Sequence, residues 1–330
     1  MKTLKLLLIL LATTLVWGQS GSSPEDKQWR QEMTNRNGFP ATTQLPTSPW
    51  VISGKSATEE VMKSFPIIIP PQNAPELTEE EIEEINKEEQ RVNALRAPHK
   101  EDIDKYSNFL NQKNTGIFRL FPDLGCGGQL LVDANDDCAK AVSLSWSYSF
   151  IYKYHGNSDF YDLRLKDQSL IADGFLSQAI VTQLGDIDLE TANLKTNGIK
   201  FLNDFKPERK SIKAKAQFAQ IAKRVNADGF VYGKIVKLDE NVTFGLRLIA
   251  YKLSDANKES HLQKNKIKTK EEQKFLALEY TKRKDKILVF RIIRKDSDGS
   301  ITILWKELAD KKAPIIVFGK NEKLTDLKTQ

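Results

Sequence analysis

The sequence predicts an α+β protein with a mainly antiparallel β domain, and two observations favour this class. From residue 115 to about residue 320, short runs of alternating apolar and polar residues are separated by turn residues, which is typical of half-buried strands. One run in this region, residues 212–227, has the apolar spacing of an amphipathic helix. The 330 residues include five Trp, eight Tyr and sixteen Phe, a content that excludes a wholly disordered chain.

The first 18 residues have the pattern of a secretory signal peptide. Lys2 and Lys5 supply positive charge, residues 6–16 are apolar, and Gly18 is small enough to precede a cleavage site. The alternative is a membrane anchor, which needs roughly 18 or more apolar residues, more than this run contains. We therefore expect an exported protein, periplasmic or extracellular, with no integral membrane span once the signal peptide is removed.

The segment that precedes the β domain is predicted in two parts. Residues 19–75 are rich in Ser, Thr, Pro, Gln and Asn without a lasting period, which predicts a disordered linker. Residues 76–114 predict a helical segment, in which Thr78 and Glu81 match a capping box and Pro98 ends the first helix. The apolar stripe of this segment is thin, so its helices are expected to lie on a surface.

The β domain is predicted over residues 115–320 and a flexible tail over 321–330. Candidate strands cover residues 116–121, 142–154, 160–165, 168–172, 230–238, 242–252, 286–294, 300–306 and 314–318. The helix over 212–227 is expected to end at Asp228-Gly229, because glycine accepts the left-handed conformation of a helix cap. Residues 175–205 are ambiguous between helix and strand.

The chain contains two cysteines, Cys126 and Cys138. In an exported protein an even number of cysteines favours a disulfide, and the polar, Gly- and Asp-rich segment between them suits a short closed loop. Closing a loop of this size contributes about 3 kcal/mol of stability in the chain-entropy model. Two free thiols are the alternative, and the spacing does not match a C-x-x-C redox motif.

The segment 141–155 carries the strongest local pattern in the sequence. In a strand it would place alternate aromatic residues on one face and serines on the other. The mid-strand residues Trp146, Tyr148 and Phe150 are expected to be core, with the serines forming a wet back.

The outer end of the same segment is the candidate binding site. A strand of 13 residues spans roughly 43 Å, longer than most cores are wide, so one end is expected to emerge from the sheet. Tyr152 and Tyr154 would then form a stacking platform for a sugar or a peptide, with His155 beside them. An ordinary core strand is the alternative.

No catalytic residue, metal ligand or cofactor is predicted. The sequence lacks the G-x-S-x-G, H-E-x-x-H and P-loop motifs, and three histidines are too few for a His-rich metal site. Paired carboxylates of a glycosidase have no local spacing rule, so they remain an alternative. Asp159, Asp162 and Asp173 are the acids nearest to the aromatic segment.

Two acidic segments resemble calcium loops. The segment from Asp296 has acids at the first, third and last positions of an EF-hand loop, but Ile301 stands where that loop requires glycine. Its alternating flanks favour a hairpin that turns at Asp298-Gly299. The loop with Asp133, Asn135, Asp136 and Asp137 is interpreted as a solvated turn, with a weak calcium site as the alternative.

The net charge of +6 comes from 50 basic and 44 acidic side chains. Basic residues crowd 258–270 and 282–286, but aromatic residues hardly interrupt them, which argues against a nucleic-acid partner. Solvated loops are the simplest interpretation, and envelope glycans, peptides or anionic polymers are the candidate partners.

These observations favour a non-catalytic binding or envelope-interaction module with an aromatic strand. The alternative is a secreted hydrolase that acts on a polysaccharide. An enzyme would need acids that converge in a concave site, whereas a binding module needs only an exposed aromatic strip. The sequence leaves the ligand, the oligomeric state and the physiological role open.

Overall fold

Antiparallel strands dominate the fold, so the predicted α+β class is confirmed. The computed structural model describes residues 78–123, 146–155, 160–262, 274–275, 277–278 and 281–328. All of them belong to one unit of the chain, Ala41–Gln330. The linker 19–75 and both cysteines lie outside the described residues, and the domain boundaries stay a prediction.

The helices of this part of the chain are mostly short. They are α1 (Glu79–Arg96), α2 (Lys100–Lys105), α3 (Ser107–Leu110), α4 (Ile199–Asp204), α5 (Ser211–Ala222) and α6 (Asp255–Leu262). The first of them ends before Pro98, as predicted. Ile82 and Leu95 on α1 are exposed, in agreement with a surface helix.

The strands follow most of the predicted runs. They are β1 (Thr115–Leu120), β2 (Ser147–Ser149), β3 (Tyr154–His155), β4 (Leu163–Lys166), β5 (Ser169–Ala172), β6 (Ser177–Gly185), β7 (Val225–Ala227), β8 (Phe230–Gly233), β9 (Ile235–Lys237), β10 (Thr243–Ala250), β11 (Lys252–Leu253), β12 (Lys284–Lys295), β13 (Ile301–Lys312) and β14 (Ile315–Ile316). The ambiguous segment 175–205 contributes both a long strand, β6, and a short helix, α4.

The strands form two antiparallel sheets and one small parallel pair. A seven-stranded sheet has the order β1-β13-β12-β10-β6-β8-β7, and a five-stranded sheet has the order β3-β2-β4-β5-β9. Strands β11 and β14 pair in parallel. Alternate residues of the two sheets share one apolar core, which includes Phe244, Phe290 and Trp305 from the larger sheet.

The opposite face of the seven-stranded sheet is covered by helices. Its apolar side chains pack with Phe109 of α3, with Ile199 and Leu202 of α4 and with Ile221 of α5. The molecule therefore has three layers: the five-stranded sheet, the seven-stranded sheet and a helical layer. A third apolar cluster surrounds the β11–β14 pair.

The segment from Asp296 forms the predicted hairpin. Strands β12 and β13 pair along their length, and the Gly299 N–H donates to the Asp296 carbonyl at 3.0 Å. Gly299 has a φ of +79°, a conformation that glycine adopts without strain. Asp296 and Asp298, two of the acids that resembled calcium ligands, lie in this turn, whereas the third, Glu307, lies in β13 and pairs with Lys286.

The helix predicted over 212–227 is shorter than expected. It ends at Ala222, and Arg224 has a φ of +70°. Residues 225–227 instead form β7, which pairs with β8. Asp228 and Gly229, which we expected to end the helix, both have positive φ and form the turn of this hairpin.

The basic run 282–286 is not a solvated loop. Arg283 is buried, and the strand β12 begins at Lys284. Lys284 pairs with Asp310, and the buried Lys286 pairs with Glu307. The charges of this run are therefore largely used inside the fold.

Candidate functional site

The aromatic segment is not the single long strand that we predicted. After β2 the chain turns at residues 150–153, where the Lys153 N–H donates to the Ser149 carbonyl at 2.7 Å. Strand β3 then runs back, so that Tyr148 pairs with His155 and Ser149 pairs with Tyr154. Lys153 has a φ of +60°, which a residue other than glycine adopts rarely, and this turn has no sequence signal.

The reversal changes the exposure of the predicted site. Tyr154 and His155 are buried and Tyr152 is half-buried, so these three side chains do not form an exposed platform. Tyr148 and Phe150 are core as expected, whereas Trp146 is half-buried against Tyr161. The predicted wet back is also wrong for the two serines of β2, which are buried.

Tyr152 and Tyr154 contact each other edge to face, with 5.5 Å between the ring centroids. Burial raises the pKa of the Tyr152 hydroxyl, and the neighbouring Tyr154 raises it further. Tyr152 also forms hydrogen bonds with Thr281 and with the backbone of Lys282. These contacts attach the turn to the chain just before β12. A role of Tyr152 and Tyr154 in binding stays a prediction.

His155 belongs to a buried aromatic group. The Phe118 and Tyr148 rings stack with centroids 3.7 Å apart, and the His155 ring meets Tyr148 edge-on at 5.3 Å. The Tyr148 hydroxyl is buried and has no hydrogen-bond partner. His155 therefore packs edge-on against the stacked pair of rings that β1 and β2 supply.

The protonation state of His155 follows from its contacts. Its Nε2 lies 2.6 Å from the Arg119 carbonyl oxygen, which can only accept a hydrogen bond, so Nε2 carries the hydrogen. Burial lowers the pKa of His155 to about 4, against the opposing effect of this hydrogen bond, and the positive charge of Arg96 lowers it further. At neutral pH the ring is therefore neutral, and no described residue donates a hydrogen bond to its buried Nδ1, which can only accept one.

Arg96, the last residue of α1, brings a positive charge to this position. Its side chain is 1% exposed, and its Nε and Nη1 have no hydrogen-bond partner in the part of the chain that the structure describes. Burial lowers the pKa of its guanidinium to about 10, which leaves it charged at neutral pH. No carboxylate of the described residues forms an ion pair with it.

Two other buried arginines show how this fold normally accommodates a guanidinium. Arg247 forms two hydrogen bonds with Asp285, at 2.9 and 2.7 Å, and donates to the carbonyls at the end of α4. Arg283 donates to the carbonyls of Tyr251, Phe175 and Leu176. Arg96 has no comparable set of acceptors, so its environment differs in kind.

Contacts around Asp296 hold the end of α1 against β1. The His99 Nε2 lies 3.2 Å from Asp296 Oδ2, and the Arg119 Nη2 lies 2.9 Å from the same oxygen. Arg119 also bonds to Asp298 and Ser300 in the β12–β13 turn. We refer to Arg96, His99, Arg119 and His155 as the arginine–histidine cluster.

The cluster can recognise an anion that also carries a hydroxyl group. The free Nε–H and Nη1–H of Arg96 are donors whose geometry matches a carboxylate or a phosphate. The bare Nδ1 of His155 can only accept, so it requires a donor such as a hydroxyl. Sequence reasoning singled out His155 but missed Arg96, because an arginine in the last turn of a helix usually indicates only a favourable interaction with the helix dipole.

The acids proposed for a hydrolase are engaged in structural contacts. Asp162 is buried, and its Oδ2 accepts hydrogen bonds from the Ser149 hydroxyl and the Ile151 N–H. Burial raises the pKa of Asp162, and these hydrogen bonds oppose the rise. Asp173 is buried and interacts with Arg164 and Lys328, while Asp159 lies outside the described residues.

A search of the described residues for groups of metal-ligating side chains found none. The acidic loop from Asp133 to Asp137 and the lysines at 264–270 lie outside them. In the described part of the chain, no helix is both long enough and apolar enough to cross a membrane. Comparisons with protein-family models, curated proteins and solved structures gave no match for this chain.

Proposed function

We propose that this protein is an exported, non-catalytic binding module whose ligand joins an anionic group to a hydroxyl group. The observation that carries the proposal is the buried guanidinium of Arg96, whose Nε and Nη1 have no acceptor among the described residues. The neighbouring bare Nδ1 of His155 supports the second requirement. A uronic acid unit of an envelope glycan has this chemistry, since its carboxylate lies next to ring hydroxyls.

The buried charge of Arg96 is unfavourable for the stability of the fold unless an anion pairs with it. A buried ion without a partner destabilises a fold by several kcal/mol, so such ions are normally paired or hydrogen-bonded. Binding an anion at Arg96 would offset that cost, and the site would be complete only with its ligand. Buried polar groups of native proteins are nearly always hydrogen-bonded, so an exception requires an explanation such as a bound ion.

Export is part of the proposal and rests on the signal-peptide pattern of residues 1–18. A disulfide between Cys126 and Cys138 is proposed on the same ground, because an oxidising compartment favours it. Both agree with a ligand from the cell envelope.

Binding is favoured over polysaccharide hydrolysis by the state of the acids. A glycosidase needs two carboxyl groups that face a shared cleft. Asp162 accepts hydrogen bonds from β2 and from the turn after it, and Asp173 is used in ion pairs. The arginine–histidine cluster, by contrast, supplies donors and an acceptor that no described residue uses.

The test is isothermal titration calorimetry of the full chain with glucuronate, glucose and acetate. Glucuronate should bind more tightly than glucose, which lacks the carboxylate, and than acetate, which lacks the hydroxyls. Arg96→Gln should weaken glucuronate binding roughly ten- to a hundredfold, the usual effect of losing a charge-assisted hydrogen bond. Lys87→Gln, an exposed position on the same helix, is the matched control.

Two results would contradict the proposal. One is glucose binding as tightly as glucuronate, since the anion would then be irrelevant. The other is an Arg96→Gln variant that binds glucuronate as well as the Lys87→Gln control does.

A further inference from the structure

Three aliphatic side chains that face solvent lie together near the end of β13. Ile212, in the first turn of α5, is 72% exposed, and Ile315 and Val317 are each 45% exposed. The alternation along β14 explains the last two, because Ile316 and Phe318 between and after them point into the core. Because Ile316 and Phe318 are buried, Ile315 and Val317 must face outward.

Backbone contacts bring the segments that carry these three residues together. The Val317 N–H donates to the Arg209 carbonyl at 2.8 Å, and the Ser211 N–H donates to the Val317 carbonyl at 3.0 Å. The start of α5 is therefore attached directly to the chain that follows β14. Ile212 adjoins this attachment, so it extends the apolar surface of Ile315 and Val317.

Lysines without ion pairs surround this apolar surface. Lys252 pairs with Ile315 in the register of the β11–β14 pair, and Lys210 pairs with Val317 in an isolated backbone β-bridge. Each of these lysines therefore lies beside an exposed aliphatic residue. Lys213 follows Ile212 in α5. All three lysines are exposed, and none of them has an ion pair with a described residue.

Glu322, an acid beside the start of α5, is engaged with other groups. Glu322 accepts a hydrogen bond from the Ser211 hydroxyl and pairs with Lys215, at 3.7 Å between Lys215 Nζ and Glu322 Oε1. The face thus combines an apolar centre with an uncompensated positive rim. We call the six residues Lys210, Ile212, Lys213, Lys252, Ile315 and Val317 the basic–apolar face.

We propose that the basic–apolar face docks the protein on an anionic lipid surface. The lysines match negatively charged headgroups, and the aliphatic side chains can enter the boundary between headgroups and acyl chains. A soluble anionic polymer would use the lysines but would leave Ile212, Ile315 and Val317 in water. The face is separate from the arginine–histidine cluster, since the two lie toward opposite ends of β13.

The test is co-sedimentation of the full chain with vesicles of phosphatidylcholine alone or mixed with phosphatidylglycerol. One variant combines Lys210→Gln, Lys213→Gln and Lys252→Gln, and a second combines Ile212→Ser, Ile315→Ser and Val317→Ser. The control is Val231→Ser with Ile235→Ser, two exposed aliphatic positions on β8 and β9. Melting curves check that each variant is folded.

We expect salt-sensitive binding to the mixed vesicles and little binding to phosphatidylcholine alone. The lysine variant should lose about a hundredfold in affinity, on the order of fivefold for each lysine near the surface. The aliphatic variant should also lose affinity for vesicles while it binds soluble dextran sulfate as the control does. The control should bind mixed vesicles like the unchanged chain.

Three outcomes would overturn the proposal. Equal binding to both kinds of vesicle would exclude charge recognition. An aliphatic variant that binds mixed vesicles like the control would leave a soluble polymer as the partner of the lysines. Unchanged binding of the lysine variant would place the lipid contact elsewhere in the chain, including its apolar amino-terminal run.

Discussion

His155 illustrates how one buried side chain can make stability depend on pH. Its pKa is about 4 in the folded protein, against an ordinary value of 6.5, because burial disfavours the charged ring. Between these two values the unfolded chain binds a proton that the folded protein does not bind. The folded state is therefore favoured fully above pH 6.5, and this contribution is lost as the pH falls toward 4.

We predict that His155→Phe flattens the acid limb of the stability curve. Phenylalanine keeps the aromatic packing on Phe118 and Tyr148 but has no group that titrates in this range. Urea unfolding at several values between pH 4 and pH 7 would measure the effect. The raised pKa of Asp162 acts in the opposite direction and is common to both proteins, so their difference isolates His155.

Parallel stability curves for the two proteins would contradict this interpretation of His155. In that case the free energy of unfolding of His155→Phe would be lower than that of the unchanged protein by the same amount at every pH. This result would indicate that only the hydrogen bond from His155 to the Arg119 carbonyl is important.

At the scale of elements, the close contact between α4 and the seven-stranded sheet depends on Gly245. A Cβ atom at this position would lie 2.4 Å from the Ile199 Cδ1 and 3.1 Å from the Leu202 Cδ1. Glycine in β10 therefore lets the helix approach the strand. The same contact helps to place the end of α4, whose carbonyls accept hydrogen bonds from Arg247.

Gly245→Ala is expected to destabilise the protein by about 1–3 kcal/mol, the usual cost of an overpacked core. Adding Ile199→Val removes the nearest atom and should recover part of the loss. Gly319→Ala is the control, since the closest atom to its Cβ would be 3.7 Å away. Denaturant unfolding of the unchanged protein, Gly245→Ala, Ile199→Val and the double variant gives the coupling energy, and strictly additive losses would refute the contact.

The elements also show which parts of the fold can be predicted from sequence. Strands β12 and β13 were predicted because alternation and an Asp-Gly turn signal agree. The β2–β3 turn was missed because it uses Lys153 with a positive φ and has no glycine or proline. The end of α5 was misplaced because Asp228-Gly229 suits a helix cap and a hairpin turn equally well, and only pairing with β8 decides.

In the molecule as a whole, the two proposed binding surfaces lie far apart. The arginine–histidine cluster lies near the β12–β13 turn, where α1 and β3 both meet β1. The basic–apolar face lies at the other end of β13, a strand of 12 residues or about 40 Å. A protein with this arrangement could bind an envelope ligand at one end and remain on an anionic surface through the other.

Neither surface could be predicted from local sequence. Arg96 gains its significance from burial without an acceptor, and burial depends on contacts between α1 and a distant strand. Any two of Lys210, Lys252 and Val317 are more than 40 residues apart in the sequence. Only strand pairing brings them together. Composition indicated a basic domain, but it could not distinguish lysines used in ion pairs from those left free.

The most direct test of the central claim is the free energy of unfolding of Arg96→Met with and without glucuronate. We expect Arg96→Met to be more stable than the unchanged protein by about 1–3 kcal/mol when no ligand is present, because an apolar side chain of similar length replaces a buried charge that no described residue pairs with. Saturating glucuronate should then stabilise the unchanged protein, as binding to the folded state requires, and should leave Arg96→Met unaffected. A variant that is less stable without ligand, and that glucuronate stabilises as much as the unchanged protein, would show that Arg96 is a satisfied structural residue and would contradict the proposed site.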